Sequence, residues 1–227
     1  MERRAKGMLC LAQKLAVLTM KHERFGQARV LSTMELDLLV ECLPAGPHRV
    51  LAMLLRYSAC RVSEGLQLRW AHVAGPAVLF PAPITKRGLK SREVPQHPAL
   101  AAALSEWREL WPLWVMKGAA RVNGPAGLAE PLKGPNPGDY LFPSDRNPQE
   151  HITRQSFDLR LRKAAELAGL PGVSTHTFRR SGLSSASGAG IPLRTLQSLS
   201  GHSSLATLSL YLEVSEDQKR QAALAFA

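Results

Sequence analysis

Long apolar runs are missing from this sequence: Arg, Lys, Pro or Gly interrupts every hydrophobic stretch before it nears the roughly 20 residues that span a bilayer. A membrane-inserted protein is not expected. Cysteine is scarce, with Cys10, Cys42 and Cys60 forming no CxxC pair and being odd in number, so they cannot all pair within one chain. That usage suits a reducing cytoplasm. No GxxxxGK[ST] loop, GxGxxG turn, HExxH or GxSxG occurs, which removes the main support for nucleotide, zinc-protease and serine-hydrolase chemistry. The chain is also short of acid: 18 Asp+Glu face 29 Lys+Arg, a net charge of +11. With 45% hydrophobic residues and 21% charged, it reads as a folded protein with a basic surface, and nucleic acid or an anionic membrane is the usual partner of such a surface. The N-terminus has the charged start of a signal peptide, but Lys14 splits its apolar stretch and no small-residue cleavage site follows.

Helical periodicity dominates what is present. Leu9, Ala12, Leu15, Ala16 and Leu18 predict an amphipathic helix from Lys6 to about Lys21, followed by a polar linker. Ser32 and Glu35 have capping-box spacing and open a helix that Pro44, Gly46 and Pro47 end. Further helices are expected at Arg49–Tyr57, Val62–Leu68, Pro98–Leu110, Thr153–Ala168, Thr175–Ser187, Pro192–Leu199, Ser204–Leu210 and Ser215–Phe226. Between Ala77 and Val94 the period shortens, and Val78–Phe80 and Glu93–Val94 read as strands flanking a basic turn with Gly88 at its tip. From Pro112 to Asp139, four further prolines and five glycines predict a long surface loop. The expected fold is mainly α with a small antiparallel β-sheet (α+β).

The chemistry-bearing residues gather late in the chain. His176, Arg179, His202 and Tyr211 follow Arg61 and Lys86 far upstream. Phosphoryl transfer needs cations on the non-bridging oxygens, a proton acceptor for the nucleophile and a proton donor for the leaving group. Arginine supplies a planar fork that stays protonated, and a tyrosine hydroxyl can act as nucleophile. A metal site is not expected, because no Cys or carboxylate cluster accompanies the histidines.

These residues resemble, in order, the boxes of the tyrosine recombinase or phage integrase family, of Xer type. Ala59–Glu64 is similar to its first arginine box, Thr85–Pro95 to its lysine hairpin, and His176–Ser181 to its HxxR box. Leu199–Ser204 is similar to its LGHS segment, with Tyr211 at the nucleophile position. The resemblance spans about Leu31 to Val214 and implies the catalytic-domain fold of that family. It implies that Tyr211 attacks a DNA phosphodiester to form a 3′-phosphotyrosine. Arg61 and Arg179 would grip the phosphate, His176 would assist proton removal, Lys86 would protonate the leaving oxygen, and His202 would hydrogen-bond the phosphate. Lys90 is the alternative acid; Lys86, 25 residues after Arg61, fits the family spacing better. Arg87, Lys90 and Arg92 are then expected to contact DNA phosphates.

No cofactor or metal is implied, since transesterification conserves the phosphodiester energy. The implied partners are double-stranded DNA and further copies of the chain, as a tetramer on DNA; the implied roles are recombination or integration, as in a mobile genetic element. A non-catalytic DNA-binding derivative of the fold is the alternative. Three parts are expected: residues 1–30 as helix and linker, 31–214 as catalytic domain, and 215–227 as a helix packing in cis or docking on a neighbouring subunit. The family's N-terminal clamp is expected to be absent, with an accessory protein taking its place.

Overall fold

The computed structural model describes residues 28–85, 88, 90–123, 134–212, 214, 216–224 and 226. The helix expected at Lys6–Lys21 lies outside them, as do Lys86 and Arg87 of the hairpin tip.

Helix α1 (Thr33–Cys42) starts as the spacing predicts. Ser32 Oγ accepts from Glu35 N, and the Glu35 carboxylate accepts from Ser32 N. Helix α2 (Pro47–Ser58) is the central element, burying Val50, Leu51, Leu54 and Leu55 against α4 (Pro98–Asn123) and α6 (Thr175–Gly188). It ends at Ala59, whose φ of 47° is the only positive φ of a non-glycine among the described residues. A left-handed alanine costs about 1–2 kcal/mol, so surrounding contacts must hold it. A single short helix, α3 (Val62–Leu66), follows at once. Its Gly65 is packed so closely that a Cβ there would lie 3.1 Å from Leu51 Cδ1.

Strands β1 (Ala77–Phe80) and β2 (Arg92–Pro95) pair antiparallel, with Val78 opposite Val94 and Phe80 opposite Arg92. Val78, Phe80 and Val94 face the core, as the alternation along the strands requires.

Helix α4 departs from expectation. It runs on through Pro112 to Asn123, where a surface loop is predicted to begin at that proline. An interior proline loses a backbone hydrogen bond and strains the turn before it, at a cost of about 3 kcal/mol. Three indoles offset this: Trp107 Nε1 donates to Leu141 O at 2.8 Å, Trp111 to Tyr140 O at 3.1 Å and Trp114 to Pro143 O at 3.3 Å. Positions 107, 111 and 114 share one helix face, so both sides of Pro112 are fastened to the same segment.

Helix α5 (Arg154–Ala168) is capped by Thr153, buries Phe157, Leu161 and Ala164, and stops at left-handed Gly169. Helices α7 (Leu193–Ser200), α8 (Leu205–Ser209) and α9 (Glu216–Leu224) complete the described chain. Two apolar clusters result. The larger runs from Leu31 to Phe178 and includes α1 to α5. The smaller consists of Leu183, Leu196 and Leu208, with Tyr211 and Leu212 packed against it. On α9 and beyond, Leu224 and Phe226 are exposed.

Candidate active site

A cleft of about 270 Å³ opens where the C-terminal end of α2, the start of α5, the start of α6 and the segment after α7 meet. Arg61, His176, Arg179, His202 and Tyr211 all line it. Five of the six residues expected to do chemistry therefore converge from positions up to 150 residues apart; Lys86, the sixth, lies outside the described residues. A larger groove of about 630 Å³ lies beside Leu170–Val173, but its charged lining is one Arg and one Glu of opposite sign on an open surface. The smaller cleft holds the concentrated cationic chemistry.

Arg61 follows left-handed Ala59 and precedes α3, and this sharp corner projects it into the cleft. Its Nη1 donates to Glu64 Oε1 at 2.9 Å, and its backbone N–H donates to Glu64 Oε2 at 3.0 Å. Glu64 Oε2 also accepts from Arg92 Nη2 at 2.6 Å. One carboxylate, 1% exposed, thus holds two arginines. Burial alone would raise the Glu64 pKa, but hydrogen bonds and charge from Arg92 and Arg61 outweigh it and hold the carboxyl below the usual range.

Arg92 is placed otherwise than the sequence suggests. Expected as a phosphate contact on a solvated hairpin, it turns inward: its guanidinium bonds Glu64, its Nε donates to Leu199 O at 3.1 Å, and it lies over the Phe80 ring at 4.3 Å. Its role is to brace Glu64 against the C-terminal end of α7. Lys90 is exposed and does not line the cleft.

Arg179, on α6, is 1% exposed. Its Nη1 donates to Ala59 O, and its Nη2 donates to Ser200 O at 2.9 Å and reaches His202 Nε2 at 3.0 Å. The strained Ala59 thereby has a function in the architecture, since its orientation aims a carbonyl at this arginine. Burial first, then Arg61, lowers the Arg179 pKa to about 10, which leaves it charged at neutral pH. Its Nε–H is buried and has no hydrogen-bond partner.

His176 stands one turn before Arg179 on the same helix face. Partial burial, then Arg154, Arg179 and Arg61, lower its pKa, favouring the neutral imidazole that can take up a proton. His202 follows left-handed Gly201, which caps α7; burial and then Arg179 and Arg61 bring its pKa to about 3. Tyr211 packs its ring 4.9 Å from that of His202 and 6.5 Å from that of His176, with the Arg179 guanidinium 5.5 Å away. Ser184 anchors the turn by donating to Tyr211 O at 3.1 Å. Cys60 also lines the cleft, but burial pushes its thiol up to about 11, so it stays protonated.

Sequence reasoning missed Arg154 and Glu64. Arg154 opens α5 and lines the cleft, adding a third arginine. Its only sequence signal is its place just after the Thr153 cap. Glu64 was legible as the third residue after Arg61 at a helix start, a capping position. No carboxylate lines the cleft among the described residues, and none of their His, Cys, Asp and Glu groups is arranged to hold a metal ion.

The profile described as "Phage integrase family" matches residues 29–218. Tyrosine recombinase XerD of Pseudomonas putida is 40% identical over 96 residues, 42% of this chain and 31% of that protein. Tyrosine recombinase XerC of Rhodospirillum centenum is 29% identical over 209 residues, 88% of this chain and 54% of that protein. The chain thus spans about a third to a half of the length of these relatives. Among solved structures, XerH site-specific recombinase bound to its difH substrate superposes with a TM-score of 0.62 at 18% identity, covering 91% of this chain and 56% of that one. The mainly α architecture with a two-stranded antiparallel sheet is the fold of tyrosine recombinase catalytic domains.

Proposed function

Since the chain belongs to the phage integrase family, we propose that it carries the catalytic machinery of a site-specific DNA recombinase with Tyr211 as nucleophile. The observation that carries this reading is the meeting of a phenol, two neutral histidines and three arginines in one cleft. The phenol oxygen of Tyr211 forms a bond to phosphorus as the bond to the 5′ oxygen breaks. The phenol proton passes to a base, for which neutral His176 is suited, and the 5′ oxygen takes a proton from Lys86 of the hairpin tip. A 3′-phosphotyrosine and a free 5′-hydroxyl result. Attack by a 5′-hydroxyl of another strand reverses the steps, and because one phosphodiester is traded for another, no nucleotide cofactor is required.

Arg61 and Arg179 are positioned to neutralise the non-bridging oxygens, each already oriented by protein acceptors, so little reorganisation accompanies reaction. Arg154 extends the cationic wall, and Arg87 and Lys90 of the hairpin contact the flanking backbone. The protein acts on double-stranded DNA in the cytoplasm as a homo-oligomer, up to a tetramer. Exposed Leu224 and Phe226 are suited to docking on a neighbouring copy.

The test uses a library of nicked duplexes of randomised core sequence, incubated with the protein and resolved on a denaturing gel. Wild type is expected to form a covalent DNA adduct that Tyr211→Phe abolishes. An adduct that persists in Tyr211→Phe refutes the nucleophile, and salt-sensitive binding with no adduct from wild type favours the non-catalytic alternative.

A further inference from the structure

The groups around His202 do not suit its two neutral tautomers equally, and counting their protons selects one. Ser200, the last residue of α7, is fully buried. Its Oγ lies 2.6 Å from Leu196 O and 2.7 Å from His202 Nδ1. Two oxygens 2.6 Å apart need a proton between them, and a carbonyl has none to give. The single hydroxyl proton of Ser200 therefore goes to Leu196 O, the ordinary back-bond of a helical serine to the fourth residue before it. Its oxygen then faces His202 Nδ1 as an acceptor, so Nδ1 carries the imidazole proton. On the other side, Arg179 Nη2 lies 3.0 Å from Nε2 and 3.2 Å from Nδ1. Nearly equidistant from the two ring nitrogens, this guanidinium nitrogen lies over the imidazole face and off both in-plane lone-pair directions, so the tautomer is set on the Ser200 side.

We propose that Ser200 is a positioning residue that fixes His202 as the Nδ1–H tautomer, leaving its Nε2 without a proton. The hydrogen bonds then run in one direction, from His202 Nδ1–H to Ser200 Oγ and from the Ser200 hydroxyl to Leu196 O. His202, expected from the family resemblance to hydrogen-bond the phosphate, has in this tautomer no Nε2 proton to donate, and its ring packs against the Arg179 guanidinium. Two cations so close together would repel, which agrees with the strongly lowered pKa of His202. The catalytic consequence rests on the function proposed above; the tautomer itself does not.

The experiment is long-range ¹H–¹⁵N spectroscopy of the whole protein labelled at histidine, with His202→Gln identifying the His202 signals. The expected result is a protonated, pyrrole-like Nδ1 and an unprotonated, pyridine-like Nε2. The opposite pattern overturns the proposal and needs no other variant to do so. In Ser200→Ala the Nδ1–H loses its acceptor, so the spectrum shifts toward the other tautomer, while Ser200→Thr keeps the wild-type pattern. In the nicked-duplex assay, Ser200→Ala is expected to slow adduct formation about tenfold to a hundredfold, the scale of a group displaced by about 1 Å, with Ser200→Thr restoring most of the rate. A Ser200→Ala protein with the wild-type tautomer overturns the role given to the hydroxyl. Absence of adduct from wild type counts against the proposed function alone and leaves the spectra to decide this point.

Discussion

Replacing Glu64 by glutamine removes one negative charge from a site where it balances two arginines. The side chain is 1% exposed, against 22% for Arg61 and 10% for Arg92, so water screens the loss poorly. Glu64 accepts three hydrogen bonds, from Arg61 N, Arg61 Nη1 and Arg92 Nη2. A glutamine offers one oxygen, and its amide N–H groups meet a guanidinium that also only donates. Breaking one side of a buried ion pair costs about 3–5 kcal/mol, and a retained oxygen places Glu64→Gln toward the lower figure. For a chain of this size that corresponds to a melting temperature lower by about 6–20 °C. Calorimetry at pH 7 measures it. Arg92→Met in the same chain should recover part of the loss, because it removes a cation left without its counterion; a double-mutant cycle reads that coupling. A Glu64→Gln protein within about 1 kcal/mol of wild type would refute the argument that this carboxylate is the electrostatic keystone of the cleft.

Acid should weaken the fold earlier than its carboxylates alone require. His202 and His48 have folded pKa values near 3 and 4 against an ordinary 6.5, so between these limits the unfolded chain binds more protons. Stability is full above about pH 6.5 and falls with pH below it, and loss of the Glu64 contribution joins at lower pH as its carboxylate protonates. Melting curves from pH 7 to pH 4 should show the decline, and His202→Gln should flatten it; an unchanged slope refutes the assignment. Gly201→Ala forces a left-handed alanine and brings a Cβ to 3.1 Å from Arg92 Nη1. The strain of about 1–2 kcal/mol predicts a melting temperature about 2–8 °C lower. In an Arg92→Met background, which relieves the contact, the loss should be smaller; an equal loss would assign the whole effect to the backbone.

Most of the fold was legible because its helices carry their own boundaries. Ser32, Thr153, Ser204 and Gly169 are local signals, and the structure places helix ends where they stand. Pro112 misled for the same reason: its signal is local, whereas the indole bonds that hold α4 together reach about 30 residues along the chain. In the candidate site, the ordered boxes identified the residues that meet in the cleft but not what each touches. Arg92 sits in a run of basic residues that reads as solvated, and only the fold brings Glu64, 28 positions earlier, against it. Arg154 had no partner in sequence to mark it, since its neighbours in the cleft come from distant segments.

The division of the apolar interior into two clusters sets Tyr211, the proposed nucleophile, apart from the main body. Tyr211 packs against a cluster of only Leu183, Leu196 and Leu208, while Arg61 is rooted in the large core through α2 and α3. So few buried side chains make a weak cooperative unit, and the segment from α7 to Tyr211 can open while α2 remains folded. Amide hydrogens of Leu193–Leu212 are therefore expected to exchange through local fluctuations, and those of Val50–Leu55 only on global unfolding. Because Arg179 is held by Ser200 O and Arg92 by Leu199 O, opening of this segment would release both arginines along with Tyr211, so the tyrosine and the arginine network of the cleft are expected to order together.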